Sequence, residues 1–405
     1  MPSQSYRTLL RTPGAAAFFF AAAGGRIGIA MTSLGILWLV HARTGSYALA
    51  GLVTGGFALA EALVGPQLAR LIDHFGQTRV LPLALLAHSM AVVALLALTK
   101  ASTPGWLMAV GGVLVGATIP QYGALSAARW SALLRAGQDT ALPAAFSLEA
   151  LSNGLAYLIG PVLVSTVAAS GYAERGTVLA AGLVVTGGLA LAAQRRSAPP
   201  PAFGDTERRR TSHTLLAPAF VVLIGINLAV GIYFGAMQVS VAAFAVQHGA
   251  AEAAAPLYAV SSSSGLLAGW LYGLRRWRAA PAAQLAAVTA GLALACLPLL
   301  VADSPLRLGI ALAVVGMAIP PILVLCSVLA EASVHRTVLT QAFAWLNSAS
   351  AAGSAGAATI AGRSMDAFGA RAGFAVALTA AVAMCAFAMV GVRALRGPEG
   401  RRIEP

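Results

Sequence analysis

The chain has 405 residues, of which 59% are hydrophobic and 10% charged, with a mean hydropathy of +0.81 and a formal net charge of +13. A water-soluble domain carries about a quarter charged residues, so this composition excludes an ordinary soluble fold and makes lipid the solvent. The positive charge does not indicate nucleic acid, because the arginines fall in short clusters between apolar runs and form no continuous basic face.

In chain order, apolar runs bounded by charged, Gly or Pro turns predict twelve membrane spans, at about 14–40, 47–69, 80–99, 105–126, 143–167, 176–194, 214–237, 255–274, 281–301, 306–329, 338–361 and 372–393. Alternating strand patterns are absent, so the expected fold is all-α. The first run follows Arg7 and Arg11 and has small residues behind it, as a signal peptide would. It resumes at once from Ile27 to Val40, however, and is too long for a signal peptide's apolar core.

With the N-terminus cytoplasmic, nineteen Lys and Arg residues fall on the cytoplasmic side and six on the other, with Arg26 left inside a span. The positive-inside rule therefore predicts a multi-pass protein of the plasma membrane with both termini cytoplasmic. The longest polar stretch, "QRRSAPPPAFGDTERRRTSH", follows the sixth span and reads as a linker. The predicted organisation is a bundle over 1–195, a cytoplasmic linker over 196–213 and a second bundle over 214–405.

Two phrases recur in order. "GATIP" at 116–120 in the fourth span returns as "GMAIP" at 316–320 in the tenth, and "TALPAAF" at 140–146 opens the fifth span as "TVLTQAF" at 337–343 opens the eleventh. Each pair is six spans apart. A parallel six-plus-six repeat is an arrangement that transporters use, with the substrate site between the halves near the midplane.

Between spans two and three the chain reads "GPQLARLIDHFGQTRVL", and Gly65, Leu71, Asp73, Gly76 and Arg79 resemble the cytoplasmic signature of the major facilitator superfamily. Ala69 replaces the second glycine of the fuller pattern, and His74 stands where an arginine is frequent. The second half holds a degraded relative, "GWLYGLRRWR". The resemblance implies twelve helices in two pseudo-symmetric six-helix bundles, with Gly65, Asp73, Gly76 and Arg79 as a cytoplasmic gating motif. Asp73 is expected to take hydrogen bonds from a helix N-terminus or to pair with an arginine when that side is closed. "YLIGPVLVS" around Gly160 and Pro161 partly matches an antiporter signature, and "AFAWLNSASAAGSAGAATIAGRSMDAFGAR" is similar in flavour to drug and small-metabolite efflux members.

Ionisable groups deep in a membrane are functional candidates. Arg26 lies midway along span one, Glu61 in span two and Glu149 in span five. Arg26 is expected to pair with a carboxylate or hold an anionic part of a substrate, while Glu61 or Glu149 carries a proton. Asn153 and Tyr157 follow Glu149 at i, i+4 spacing, and Asn227, Trp345 and Asn347 are the candidates in the second half for a cavity lined by amides and aromatics. His88 reads as structural. "SSSSG" at 261–265 predicts close helix packing.

No metal-ligand cluster, phosphate loop, nucleophile elbow or cysteine pair occurs, so neither a cofactor nor soluble-type catalysis is expected. The three cysteines, Cys296, Cys326 and Cys385, all lie within apolar runs. The sequence thus predicts a monomeric, proton-coupled exporter of drug-like or small organic metabolites working by alternating access. Its partners would be a small-molecule substrate, protons and the bilayer. The rivals are uptake or facilitated diffusion of a sugar, amino acid or peptide, and a membrane enzyme or scaffold that transports nothing.

Overall fold

A computed structural model describes residues 6–101, 103–134, 141–201, 213–368 and 370–395, with side chains at 251, 358–368, 370 and 392–395 excepted. The core of the expected linker (202–212), Thr140 of the echoed phrase and the basic residues Arg135, Arg208, Arg209, Arg210, Arg396, Arg401 and Arg402 lie outside that set, as do the side chains of Arg363 and Arg393. Among the described residues the regular elements are helices, with no strand.

A short helix, α1 (Tyr6–Arg11), precedes the first half, which comprises α2 (Ala15–Thr44), α3 (Tyr47–Phe75), α4 (Gln77–Lys100), α5 (Gly105–Thr118), α6 (Tyr122–Leu134), α7 (Leu142–Ala169) and α8 (Ala173–Ala193). The second half contains α9 (Pro218–Gln247), α10 (Ala254–Leu274), α11 (Pro281–Val301), α12 (Pro305–Ser333), α13 (Leu339–Phe368) and α14 (Ala370–Leu395). Counting α5 and α6 as the two parts of one span, twelve crossings result. Ten are both long and apolar enough to cross a membrane by themselves. The other two, α10 and α13, carry serines, and they reach sufficient length at about 1.5 Å per residue.

Local chemistry sets the breaks. Gly76 adopts φ 91° between α3 and α4, a conformation that a side chain resists, and its N–H still closes α3 on the Ile72 carbonyl at 2.8 Å. Proline in the first turn opens α7, α9, α11 and α12, where a missing N–H is harmless. The fourth span, expected to run unbroken over 105–126, is interrupted after Thr118 and extends to Leu134. Pro120 disfavours the helical region for the residue before it, and Ile119 is extended at φ −71°, ψ 124°. Its echo stays helical through Pro320 and Pro321, with the Pro320 ring lying against Gly265 and Gly269.

Packing explains the repetition. Span one packs on spans five and six as seven packs on eleven and twelve, two on four as eight on ten, and three on four and six as nine on ten and twelve. Gly116 lies against the Phe57 carbonyl of α3, and Gly316 against the Ser261 carbonyl of α10, so both echoed glycines let two backbones touch. The serine run accordingly lies at a close contact, as the sequence suggests. The contacts between halves obey the same symmetry, with α3 on α13 matched by α10 on α7, and α6 on α13 matched by α12 on α7. Phe146 and Phe343, which end the second echoed phrase, meet each other with ring centroids 5.7 Å apart. Equivalent residues in mutual contact lie on the pseudo-twofold axis.

The halves close at the end that carries the linker. There Asp73 accepts a hydrogen bond from the Gln341 N–H at 2.9 Å, and the Tyr6 hydroxyl donates to the Trp270 carbonyl at 2.7 Å. Tyr6 and Ser147 both crowd Gly273. In the fourth span it is the linker-side part, α6, that packs against the second half, while α5 packs on α3 and α4. The halves therefore diverge towards the opposite end and leave a central hollow.

Candidate functional site

The floor of the hollow is built on Arg26. Its Nη2 donates to Glu149 Oε2 in an ion pair, and Glu149 Oε1 takes two further donors, Ser126 Oγ and Trp130 Nε1, each at 2.7 Å. The residues are 4% and 8% exposed, so the pair joins α2, α6 and α7 out of contact with solvent. The expectation that Arg26 pairs with a carboxylate is met in geometry, and the partner is Glu149. Arg26 Nε and Nη1 are buried without a partner among the described atoms. Beside the guanidinium, Gly123 leaves room below the Asn347 amide of α13, so the two halves converge over this point.

Glu61 lies on the same face of α3 as Phe57 and Gly65, which bear on Gly116 and Gln121 on either side of the break in span four. It is partly exposed. Tyr157 of α7 is 59% exposed although it is midway along its helix. The two helices are not packed neighbours. Glu61 and Tyr157 are thus the accessible candidates, one on each of two helices of the first half.

The remaining candidates divide. Asn153 and Asn347 are exposed and Trp345 is partly buried. The i, i+4 face predicted on span five turns out to be split, with Glu149 inside the first half while Asn153 and Tyr157 are accessible. Asn227 corrects the lining proposed for the second half, because it is buried and donates to the Leu223 carbonyl at 2.9 Å on its own helix. His88 is fully buried with Nδ1 at 3.4 Å from the Thr118 hydroxyl, which suits the structural reading.

In the signature loop, Gly65 lies against the Gln121 side chain, Gly76 makes the turn, Asp73 caps the start of α13, and Arg79 is exposed. A cavity of about 10 Å³, room for one water, sits between Gly65, Gln121 and Thr340.

Sequence reasoning missed four contributors. Ser126 and Trp130 are i, i+4 on α6, a spacing that could have nominated them as donors to Glu149. Arg129, counted with the topology charges, is fully buried and donates to Gln77 Oε1 at 2.8 Å, to Ser197 Oγ at 2.7 Å and to the Leu191 and Gln194 carbonyls at 2.9 Å. It thereby caps the C-terminus of α8, where a cation suits the helix dipole. Tyr6 had no signal, since its partners are backbone carbonyls 264 residues or so away.

A pseudo-symmetric pair of six-helix bundles around a polar-floored hollow defines a membrane transporter. The Major Facilitator Superfamily model matches residues 15–358, and the chain belongs to that superfamily. Solved structures share the fold at low identity. The human organic anion transporter MFSD10 (TETRAN) is 14% identical with a TM-score of 0.69, covering 97% of this chain and 100% of its own. A bacterial homologue of the iron transporter ferroportin in its outward-facing state is 12% identical at 0.71, covering 93% and 99%. The proton:xylose symporter XylE is 12% identical at 0.70, covering 94% and 96%. Among curated protein sequences none matches this chain.

Proposed function

We propose that this transporter exports drug-like or small organic molecules from the cytoplasm in exchange for protons, by rocking of bundles 1–195 and 214–405 about the central hollow. The positive-inside count makes the linker end cytoplasmic, with both termini inside the plasma membrane. The closed end is then the cytoplasmic one and the hollow faces outward. One copy of the chain contains the whole pathway, which supports a working monomer.

The observation that carries the reading is the contrast between the two carboxylates. Glu149 is sealed and satisfied by three donors, whereas Glu61 is partly exposed and has no hydrogen-bond or ion-pair partner among the described residues. Glu61 is the group placed to take a proton from the outer side and give it up inside. Arg26 with Glu149 holds the floor, and Asn153, Tyr157, Trp345 and Asn347 offer polar and aromatic surface to the cargo. Gly65, Asp73, Gly76 and Arg79 form the hinge and latch that release when the cytoplasmic end opens. The cargoes named for the similar structures are an organic anion, iron and a sugar, so the fold itself selects none.

Compounds that raise the thermal stability of the purified protein can be tested in proteoliposomes loaded with a pH dye. Substrate-driven proton movement is expected in the parent protein and absent in Glu61→Gln. Undiminished movement in that variant removes the coupling assignment.

A further inference from the structure

The first residues of the linker are bound to the first half at several points. Arg129 is fully buried on α6, and its Nη2 and Nη1 donate to the Leu191 and Gln194 carbonyls at the end of α8, each at 2.9 Å. Nη1 also donates to Ser197 Oγ at 2.7 Å, and the Ser197 side chain lies against Gly14 at the start of α2. From there the chain runs through Pro199 and Pro200 to Pro201, whose ring covers the open face of Gly76, 3.7 Å from where a Cβ would stand. Arg129 Nε meanwhile donates to the Gln77 side chain at 2.8 Å, and Gln77 Nε2 donates to the Leu125 carbonyl at 3.3 Å. The turn between α3 and α4 is thus covered at Gly76 and pinned at Gln77. In the last turn of α3, just before it, Asp73 holds the Gln341 N–H of the second half.

We propose that residues 194–201 are a strap that preorganises the Asp73 latch, so that the linker sets how readily the cytoplasmic end opens. This rests on the rocking of the two bundles and is independent of the cargo and of the proton. Each strap contact lies within the first half, so it persists when the halves separate. Its effect is therefore entropic: a turn that is already ordered while Asp73 is free loses little freedom when Asp73 meets α13 again. Consecutive prolines suit the task because they stiffen the segment in an extended form. Buried Arg129 anchors the strap, since one guanidinium offers enough donors to hold α8, Ser197 and Gln77 at once. Without the strap the turn samples other arrangements, and each closure must order it afresh. The far end of the linker is tied beside the other party to the latch, where Thr214 accepts from the His335 N–H at 3.2 Å in the loop that leads into α13.

Ser197→Ala combined with Pro201→Gly removes the strap and leaves Arg129 its bonds to α8 and Gln77. Nitroxide labels at positions 70 and 278, both exposed at the linker end, report its opening. The open population should be about fivefold larger in this variant, the effect of one ordinary hydrogen bond, with an unfolding midpoint close to that of the parent. Hydrogen exchange of the segment 73–80 should quicken. In an Asp73→Ala background the same pair of changes should alter the open population less than about twofold, because no latch is left to position. The strap is overturned by an unchanged open population in a protein that Asp73→Ala does open, by equal increases with and without Asp73, or by a lowered midpoint with no shift in distances. Quickened exchange at 73–80 with no opening in any variant, Asp73→Ala included, refutes rocking at this end and leaves the ordering of the turn by the strap standing.

Discussion

The Arg26–Glu149 pair allows a quantitative test of what holds the floor together. Removing one member of a buried ion pair costs about 3–5 kcal/mol, whereas replacing both by groups of similar volume is close to neutral. The two single changes should differ. Arg26→Met leaves Glu149 with Ser126 and Trp130, and hydrogen bonds to a charged group are worth about 1.5–3 kcal/mol each, so its loss should fall near about 3 kcal/mol. Glu149→Gln leaves a guanidinium whose Nε and Nη1 already lack partners, and points an amide N–H at one or another donor, so its loss should approach about 5 kcal/mol. The double variant should recover most of this, giving a coupling energy of at least about 2 kcal/mol. Denaturant unfolding of the four purified proteins in one detergent completes the cycle. Additive single effects, or a greater loss in Arg26→Met than in Glu149→Gln, would refute the view that Glu149 is held by three donors and Arg26 by one.

Three further tests address packing and closure. A methyl group at Gly116 or Gly316 would overlap a carbonyl of the facing helix, so alanine at either should destabilise by about 1–3 kcal/mol, while Gly182→Ala, with nothing within 4 Å, should be harmless; thermal unfolding separates them. Asp73→Ala removes the acceptor from the start of α13 at a cost of about 1–2 kcal/mol, and spin-label distances across the linker end should show the open population rising about tenfold, with Asp73→Asn milder. Burial pushes the Tyr6 hydroxyl up from 10.0 to about 12. The closed end therefore holds that proton more tightly than the open end, and the contribution of Tyr6 is complete below pH 10 and fades between 10 and 12. The same distances should widen over that range in the parent protein and be insensitive to it in Tyr6→Phe.

Much of this molecule follows from sequence for simple reasons. Lipid demands long apolar helices, so composition and run length gave the spans, and the duplicated phrases gave the pairing of halves because glycines at 116 and 316 serve the same backbone contact. Asp73 could be anticipated as an acceptor because a short carboxylate beside a turn suits a helix N-terminus.

Tertiary structure decided what sequence spacing could not. Arg26, Glu61 and Glu149 read alike along the chain as costly charges in lipid, and only packing across α2, α6 and α7 sealed two of them together and left the third partly exposed. Asn227 looked like a lining amide, but its position on α9 buries it and bonds it to the Leu223 carbonyl. The physical reason is common to these cases. Periodicity assigns a residue to a face of its own helix, while the hand and angle of the neighbouring helices determine whether that face meets protein, lipid or water.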